Sequence, residues 1–255
     1  MNIKTFLKGS LKTSLFTSLF LAAYFIPLSI TTYNTDIITL QNGNHTIVVQ
    51  GMIHSAPKKF YELTEDNIYK YKNKGYKYYY EQVVGTQAEK EEFNKLNNNL
   101  IEIAYDISNS LGFDNQNNYK ISEGGTRADT DLKTVIKDYK KYDIKLISDS
   151  DKNKLIKIKE TIKETNYFEE VKQSRFQQFY LKALMRYSLR VAEFFGGKEN
   201  FEKHIVNKRN DILLNTIDYN NNTFITYGQL HLDDIVEKLE KKGYKVVESD
   251  KVEVF

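Results

Sequence analysis

The same order of local patterns occurs twice in this chain, once near each end. Near the amino end, the apolar run "IVVQGMIH" ends in Gly51-x-x-His54, a helical pattern follows, and "KGYK" leads into "YYYEQVV". Near the carboxyl end, "FITYGQLH" ends in Gly228-x-x-His231, and a helical pattern, a second "KGYK" and the run "VVES" follow. Each unit predicts a strand, a helix and a second strand in one sheet, joined by a right-handed crossover.

Crossovers of this kind place the carboxyl ends of their strands at one edge of the sheet, so we expect both histidines at that edge. An Asn42-Gly43 hairpin precedes the first unit. Apolar residues at helical spacing fill the region between the units, at about 87–112, near 131, and at about 150–165, 168–195 and 198–216. The prediction is a mixed α/β fold whose central sheet is built from two β-GxxH-α-β units that flank a helical middle region.

The amino terminus has the pattern of a segment that meets a membrane. Three lysines within the first 12 residues precede an uncharged run at 13–35, whose apolar centre is "LFTSLFLAAYFIPLSI". This centre is longer than a usual signal-peptide core and a little shorter than the roughly 20 residues of a spanning helix. A cleaved signal ending at Ser29-Ile30-Thr31 stays open, and a retained anchor is favoured. We expect a membrane anchor or signal at 1–35 and an outward-facing domain, membrane-anchored or exported, at 36–255.

Charge and cysteine content exclude several classes of function. Without the three amino-terminal lysines, the chain has equal numbers of basic and acidic residues, 34 of each. A nucleic-acid partner is therefore not expected, because such proteins carry a concentrated basic excess. The absence of cysteine excludes a disulfide framework and a thiolate nucleophile.

Two of the four histidines stand out from the others by their setting. His45 lies beside the predicted hairpin and His204 lies in a Lys-rich helix, and both fit a surface position. His54 and His231 each follow a strand end, three residues after a glycine. A neutral imidazole at such a turn is a suitable metal ligand or proton acceptor.

A carboxylate occupies a costly position in the run "YYYEQVV". Glu81 lies amid aromatic and β-branched residues, where an ionised group needs an ionic partner or a metal. An exposed glutamate on an edge strand is the alternative. The first βαβ unit is expected to bring Glu81 onto the strand that neighbours His54.

Taken in order, the segments "VVQGMIHSA", "YYYEQ" and "FITYGQLHL" resemble the motifs of the TraB/GumN/Tiki family. Two further segments, "GGTRADTDLKTV" and "VNKRNDILLNTI", resemble loops and helices of its bacterial branch. The resemblance runs from about Asp36 to Glu248. It implies a domain related to erythromycin-esterase and ChaN-like folds. The family includes proteins described as metal-dependent proteases and others described as inhibitors of peptide pheromone signalling.

Metal-assisted hydrolysis is the chemistry that these residues favour. His54, Glu81 and His231 would hold one divalent ion, which lowers the pKa of a bound water toward neutrality. Two imidazoles with one carboxylate suit Zn²⁺, Mn²⁺ or Co²⁺ equally.

Three further residues are candidates for supporting roles. Asp129 could orient a histidine or act as a general base, and the alternative is a helix N-cap. Arg209 could stabilise a developing oxyanion, with Asn210 hydrogen-bonding nearby, and the alternative is a pair on a helix surface.

The function predicted from the sequence is therefore a metal-dependent hydrolase, a peptidase, displayed at the outer side of the membrane. Its substrate would be a peptide or a small molecule. The alternative is a non-catalytic protein that holds a peptide, pheromone or other ligand in the same cleft. A haem or iron binder is a third interpretation, since free histidines at a strand edge would serve it too.

Overall fold

A computed structural model describes the chain at residues 34–97, 113–144 and 199–254, together with residues 99, 102, 103, 105, 106, 109, 153, 156 and 160. Residues 1–33 of the predicted membrane segment, all of the helical pattern at about 150–165 except residues 153, 156 and 160, the pattern at 168–195, and most of 98–112 lie outside the described residues. Within the part of the chain that is described, no helix has both the length and the apolar character of a membrane span.

The described elements form one large sheet, one small sheet and five main helices. The strands are β1 (Asn34–Asn42), β2 (His45–Met52), β3 (Ser55–Ala56), β4 (Lys77–Tyr80), β5 (Asp114–Asn115), β6 (Thr126–Arg127), β7 (Thr223–Gly228) and β8 (Lys245–Glu253). The helices are α1 (Lys58–Asn73), α2 (Gln87–Leu96), α3 (Leu132–Lys141), α4 (Asn207–Thr216) and α5 (Leu232–Lys241). A short turn at Glu199–Phe201 and a π-helical segment at Glu202–Val206 lead directly into α4.

The large sheet has the strand order β6-β4-β7-β2-β1-β8. Strands β6, β4, β7 and β2 are parallel to one another, whereas β1 is antiparallel to both β2 and β8. The strands that His54 and His231 follow, β2 and β7 respectively, are adjacent. The fold is mixed α/β, as the sequence predicts, and the ends of β6, β4, β7 and β2 form one edge, called here the carboxyl edge.

One detail of the predicted arrangement is wrong. Strand β7 lies between β2 and β4, so Glu81, which follows β4, borders the strand of His231 and not that of His54. The first crossover, from β2 to β4, leaves room for one strand between them. Strand β7, from much later in the chain, fills that position. Sequence order alone does not show that such a position is left open.

Side chains alternate between the two faces of the sheet and give it two apolar cores. Ile47 and Val49 of β2 pack with residues of α4 and α5, whereas Val48 packs with residues of α1. Helices α1 and α5 therefore leave β2 and β7 on opposite faces. Both strands are buried over most of their length, which explains why their sequences are nearly continuous apolar runs.

Glycines end the two crossover helices because the chain there takes a left-handed conformation. Gly75, after α1, has φ +80° and Gly243, after α5, has φ +91°. These are the glycines of the two "KGYK" segments. The left-handed region is unfavourable for any residue with a Cβ atom.

Replacement of Gly75 by alanine should lower the free energy of unfolding by about 1 kcal/mol, because a Cβ atom opposes the left-handed backbone. No atom lies within 4 Å of the position that this Cβ would take, so crowding adds nothing. Urea unfolding of the full chain measures the change. The matched control is Lys74→Ala, since Lys74 has φ −81° and tolerates alanine. Equal losses in the two variants would contradict the backbone explanation.

Candidate functional site

Side chains from four parallel strands and one helix come together at the carboxyl edge. His54 follows β2, Glu81 follows β4, Asp129 follows β6, and His231 lies in the turn Gln229–His231 that follows β7. Helix α4 supplies Arg209 and Asn210 from its first turn. The set therefore joins five segments that are distant in sequence.

Arg209 is the central cation of this site. Its Nε donates to Asp129 Oδ1 at 2.9 Å and its Nη2 to Asp129 Oδ2 at 2.8 Å, and Nη2 also donates to Glu81 Oε1. The exposed fractions of the side chains are 13% for Arg209, 6% for Glu81 and 0% for Asp129. The planar guanidinium suits this task, because it can bind one carboxylate through two parallel hydrogen bonds and still reach another.

Glu81 is held at both of its carboxylate oxygens. Oε1 accepts from Arg209, and Oε2 accepts from the backbone N–H of Gly228. Its own backbone N–H donates to the carbonyl of Thr226 at 3.1 Å. Burial by itself would raise the pKa of Glu81, but Arg209, and then His231 and His54, outweigh burial and hold that pKa well below its usual range. Glu81 is therefore ionised at neutral pH.

Hydrogen bonding assigns the tautomer of His231. Asn210 Nδ2 donates to Asp234 Oδ2 at 2.8 Å and to the carbonyl of His231, so Asn210 Oδ1 is the acceptor for His231 Nδ1, at 2.6 Å. The proton is on Nδ1. Nε2 then carries the lone pair, 3.5 Å from Arg209 Nη1 and 3.8 Å from Glu81 Oε1.

His231 is also kept neutral. Burial is the main influence that lowers the pKa of His231 to about 4; Arg209 and His54 act in the same direction, and Glu81 opposes them. The edge of the ring packs against Tyr227, with 4.8 Å between ring centroids. A neutral, fixed imidazole whose Nε2 lone pair faces Arg209 is therefore present at pH 7.

The two motif glycines are required for space and not for an unusual backbone, since neither has a positive φ. A Cβ on Gly228 would lie 2.9 Å from Glu81 Oε2 and 3.3 Å from His231 Cδ2. A Cβ on Gly51 would lie 1.9 Å from Gln229 Oε1. The glycines thus allow Glu81 and Gln229 to pass close to the neighbouring strands.

His54 lies at the open side of the site and is exposed. The turn that carries His54 is held by Tyr61, whose hydroxyl donates to the carbonyl of Ile53 at 2.9 Å. The carbonyl of His54 accepts from the backbone of Gln116 at 3.3 Å. The charge of His54 affects the pKa values of both Glu81 and His231, so the three groups are within electrostatic range of one another.

The described positions of the predicted ligands His54, Glu81 and His231 do not form a three-ligand metal centre. Among the described residues, no three histidine or carboxylate side chains form a group that could hold an ion. Both oxygens of Glu81 are engaged, and Arg209 Nη1 faces the lone pair of His231. An ion shared by Glu81 and His231 would have to displace Arg209. The described contacts do not test the binding of an ion by His54, Glu81 and His231, so that ion stays a prediction.

Asp129 and Asn210 have different contacts from those expected of them. Asp129 binds Arg209 and accepts from the backbone of Thr130 at 2.8 Å, whereas the residue that precedes α3 at its N-cap is Asp131. Asn210, expected to hydrogen-bond near Arg209, contacts His231 directly. Arg209 and Asn210 are thus not a helix-surface pair.

Two residues that support the site, Tyr227 and Gln229, were not predicted from the sequence, although they flank Gly228. The ring of Tyr227 packs on His231, and its hydroxyl bonds to the carbonyl of Ala128 at 3.3 Å. Gln229 bonds to Asp36 at the start of β1. The histidines interpreted as surface residues lie elsewhere: His45 begins β2 at the opposite edge, and the ring of His204 stacks on Tyr142.

Comparison of the chain with protein-family models, with curated proteins and with solved structures found no match. The resemblance to the TraB/GumN/Tiki family therefore depends on the three ordered motifs and the two further segments of the sequence alone.

Removal of the central cation should destabilise the protein strongly. Arg209→Gln leaves two buried carboxylates without a counter-charge, and the expected loss is about 3–5 kcal/mol of unfolding free energy. Urea unfolding at pH 7 is the measurement. The control is Arg127→Gln, which removes an arginine paired with Asp131 at a more exposed position, 32% and 62% exposed. That variant should lose under about 1 kcal/mol, and similar losses in both variants would refute a central role for Arg209.

Stability should fall on mild acidification. The pKa of His231 is 6.5 in the unfolded chain and about 4 in the folded one. Between these values the unfolded chain binds a proton that the folded chain excludes, so stability present above pH 6.5 is lost as the pH falls toward 4. The loss from pH 6.5 to pH 5 is up to about 2 kcal/mol.

Urea unfolding of the wild type at several pH values measures this slope, and the ring signals of His231 in NMR should show a midpoint near 4. His231→Gln should flatten the slope, whereas His45→Gln, which changes a histidine outside the site, should keep it. A wild-type midpoint near 6.5 would contradict the neutral, buried imidazole.

Proposed function

We propose that this chain is a hydrolase of the TraB/GumN/Tiki type that cleaves peptides at the carboxyl edge of its sheet, on the outer side of a membrane. The observation that carries the proposal is the neutral His231. Its unprotonated Nε2 lies beside the buried Arg209, 3.5 Å from Nη1. A proton acceptor next to a fixed cation is the pair of groups that hydrolysis of an amide needs.

The chemistry follows from the hydrogen bonds of these groups. Nε2 of His231 takes a proton from a water molecule as its oxygen attacks the peptide carbonyl carbon. The same proton passes to the leaving nitrogen when the C–N bond breaks, so the imidazole returns to its neutral state. Asn210 keeps the proton of Nδ1 in place throughout, because its amide oxygen is the acceptor there.

Arg209 supplies the positive charge for the developing oxyanion. Its Nε and Nη2 are engaged by carboxylates, so an N–H of Nη1 is the group that can face a substrate oxygen. Asp129 and Glu81 hold the guanidinium in one orientation before substrate binds, which avoids reorganisation during the reaction. Exposed His54 lies where a peptide would enter.

A divalent ion belongs to the metal-dependent form of this proposal, in which His54, Glu81 and His231 are its ligands. When bound, the ion would lower the pKa of a water molecule. In the described geometry, Arg209 donates a hydrogen bond to the carboxylate of Glu81, and none of the steps above depends on an ion.

A non-catalytic ligand-binding protein is the second candidate, and the charge of the site favours it. Two buried acidic side chains, Glu81 and Asp129, face one guanidinium and a neutral imidazole, so the buried set holds an excess of one acidic group over the cations. A ligand with an ammonium group, such as the amino terminus of a peptide, would balance it.

Peptide cleavage by the full-length chain in vesicles tests the proposal. A mixed peptide library, followed by mass spectrometry, should show cleavage by the wild type at neutral pH. His231→Gln should reduce the rate about 10²–10⁴-fold, because the proton acceptor is lost. His45→Ala is the control and should keep the wild-type rate.

The metal-dependent form is separated by adding Mn²⁺, Co²⁺ or Zn²⁺ to chelator-treated protein. Restored activity and a raised melting temperature, both lost in Glu81→Gln, would support it. Unchanged activity under chelation would limit the reaction to the side chains themselves. Retention of a peptide without any cleavage would reject the hydrolase in favour of the ligand-binding candidate.

A further inference from the structure

The chain enters the folded domain at the edge that carries the site. Strand β1 is antiparallel to β2, and Ile37 of β1 pairs with Gln50 of β2. Residues that precede Ile37 therefore lie beside Gly51 and the turn to His54. The start of β1 is thus at the carboxyl edge, and its hairpin end is at the opposite edge.

A pair of hydrogen bonds joins this entry point to the turn of His231. The backbone N–H of Asp36 donates to Gln229 Oε1 at 3.0 Å, and Gln229 Nε2 donates to Asp36 Oδ2 at 2.7 Å. Gln229 is two residues before His231 in the same turn. The position of the first residues of the domain is therefore fixed relative to the site.

Very few residues separate this point from the predicted membrane segment. The apolar centre of the amino-terminal run ends at Ile30, and β1 begins at Asn34. Four residue steps span at most about 14 Å. No charged residue occurs between Lys12 and Asp36, so nothing in the sequence of this stretch favours a longer aqueous linker.

The two edges of the sheet differ in the side chains that their loops expose, although Val246 and Val247, at the start of the edge strand β8 near the hairpin, are 42% and 56% exposed. At the carboxyl edge, Leu230 is 55% exposed and Val84 is 38% exposed. At the opposite edge, the turns are the Gly43-Asn44 turn and the polar segment "DYNNN" at 218–222. Apolar side chains thus project from the loops of the edge at which β1 begins.

We propose that the carboxyl edge faces the membrane that carries the amino-terminal segment, with Leu230 toward the bilayer surface. The short connection sets the distance, and the Asp36–Gln229 pair sets the orientation. The substrate class rests on the proposed function. In this orientation, the site acts on polypeptide segments that lie at, or emerge from, the bilayer surface.

The absence of cysteine from the chain allows a direct test of orientation. Full-length Leu230→Cys and Asn44→Cys, each labelled with an environment-sensitive fluorophore, are placed in vesicles that contain lipids with a quencher on the headgroup. The eight residues of β2 separate the two edges by about 26 Å. Quenching should be several-fold stronger at Leu230→Cys than at Asn44→Cys.

A matched variant carries a Gly/Ser insertion of about 20 residues after Tyr33, whose root-mean-square length is about 25 Å. It should reduce quenching at Leu230→Cys to the level of Asn44→Cys. Equal quenching at the two positions without the insertion, stronger quenching at Asn44→Cys, or no quenching at either, would overturn the proposed orientation.

The substrate class has a separate readout. The wild type in vesicles should cleave a lipid-tethered peptide faster than the same peptide free in solution, and the insertion should reduce this preference. Equal rates for the two peptides would overturn the substrate class. Cleavage of neither peptide, combined with the predicted quenching, would reject the hydrolase and leave the orientation supported.

Discussion

The guanidinium of Arg209 is the interaction on which the site depends. Two carboxylates with side chains at most 6% exposed approach each other at the carboxyl edge, and among the residues that the structure describes neither has another cationic partner as close. Without Arg209 they would repel each other, and each would carry the full cost of burial. With it, Glu81 stays ionised, and the ends of β4 and β6 are tied to helix α4.

The same cation determines the state of His231. Burial keeps the imidazole neutral, and the positive charge of Arg209 next to Nε2 adds to this effect. Asn210, the next residue of α4, accepts from Nδ1 and thereby places the lone pair toward Arg209. One turn of one helix therefore fixes the charge, the tautomer and the orientation of the central histidine.

The prediction from the sequence reached the correct strands but not the correct contacts. The repeated unit placed His54 and His231 at one edge of one sheet, and the apolar setting of Glu81 indicated a buried carboxylate with a partner. The partner is Arg209, which is not in either unit. Local patterns contain no information on the order in which strands pair, so neither β7 between β2 and β4 nor the contact with α4 followed from them.

The sequence by itself determined the strands, the crossover helices and their glycine ends, since these depend on apolar periodicity and on backbone conformations that few residues tolerate. It also determined that two histidines would follow strand ends and that a carboxylate would lie in the strand region of the first unit. Only the tertiary structure decided which groups meet. Burial of Glu81 beside Arg209, and the path of β1 from Asp36 at the same edge, result from pairing between distant segments, where desolvation and long-range packing outweigh local preference.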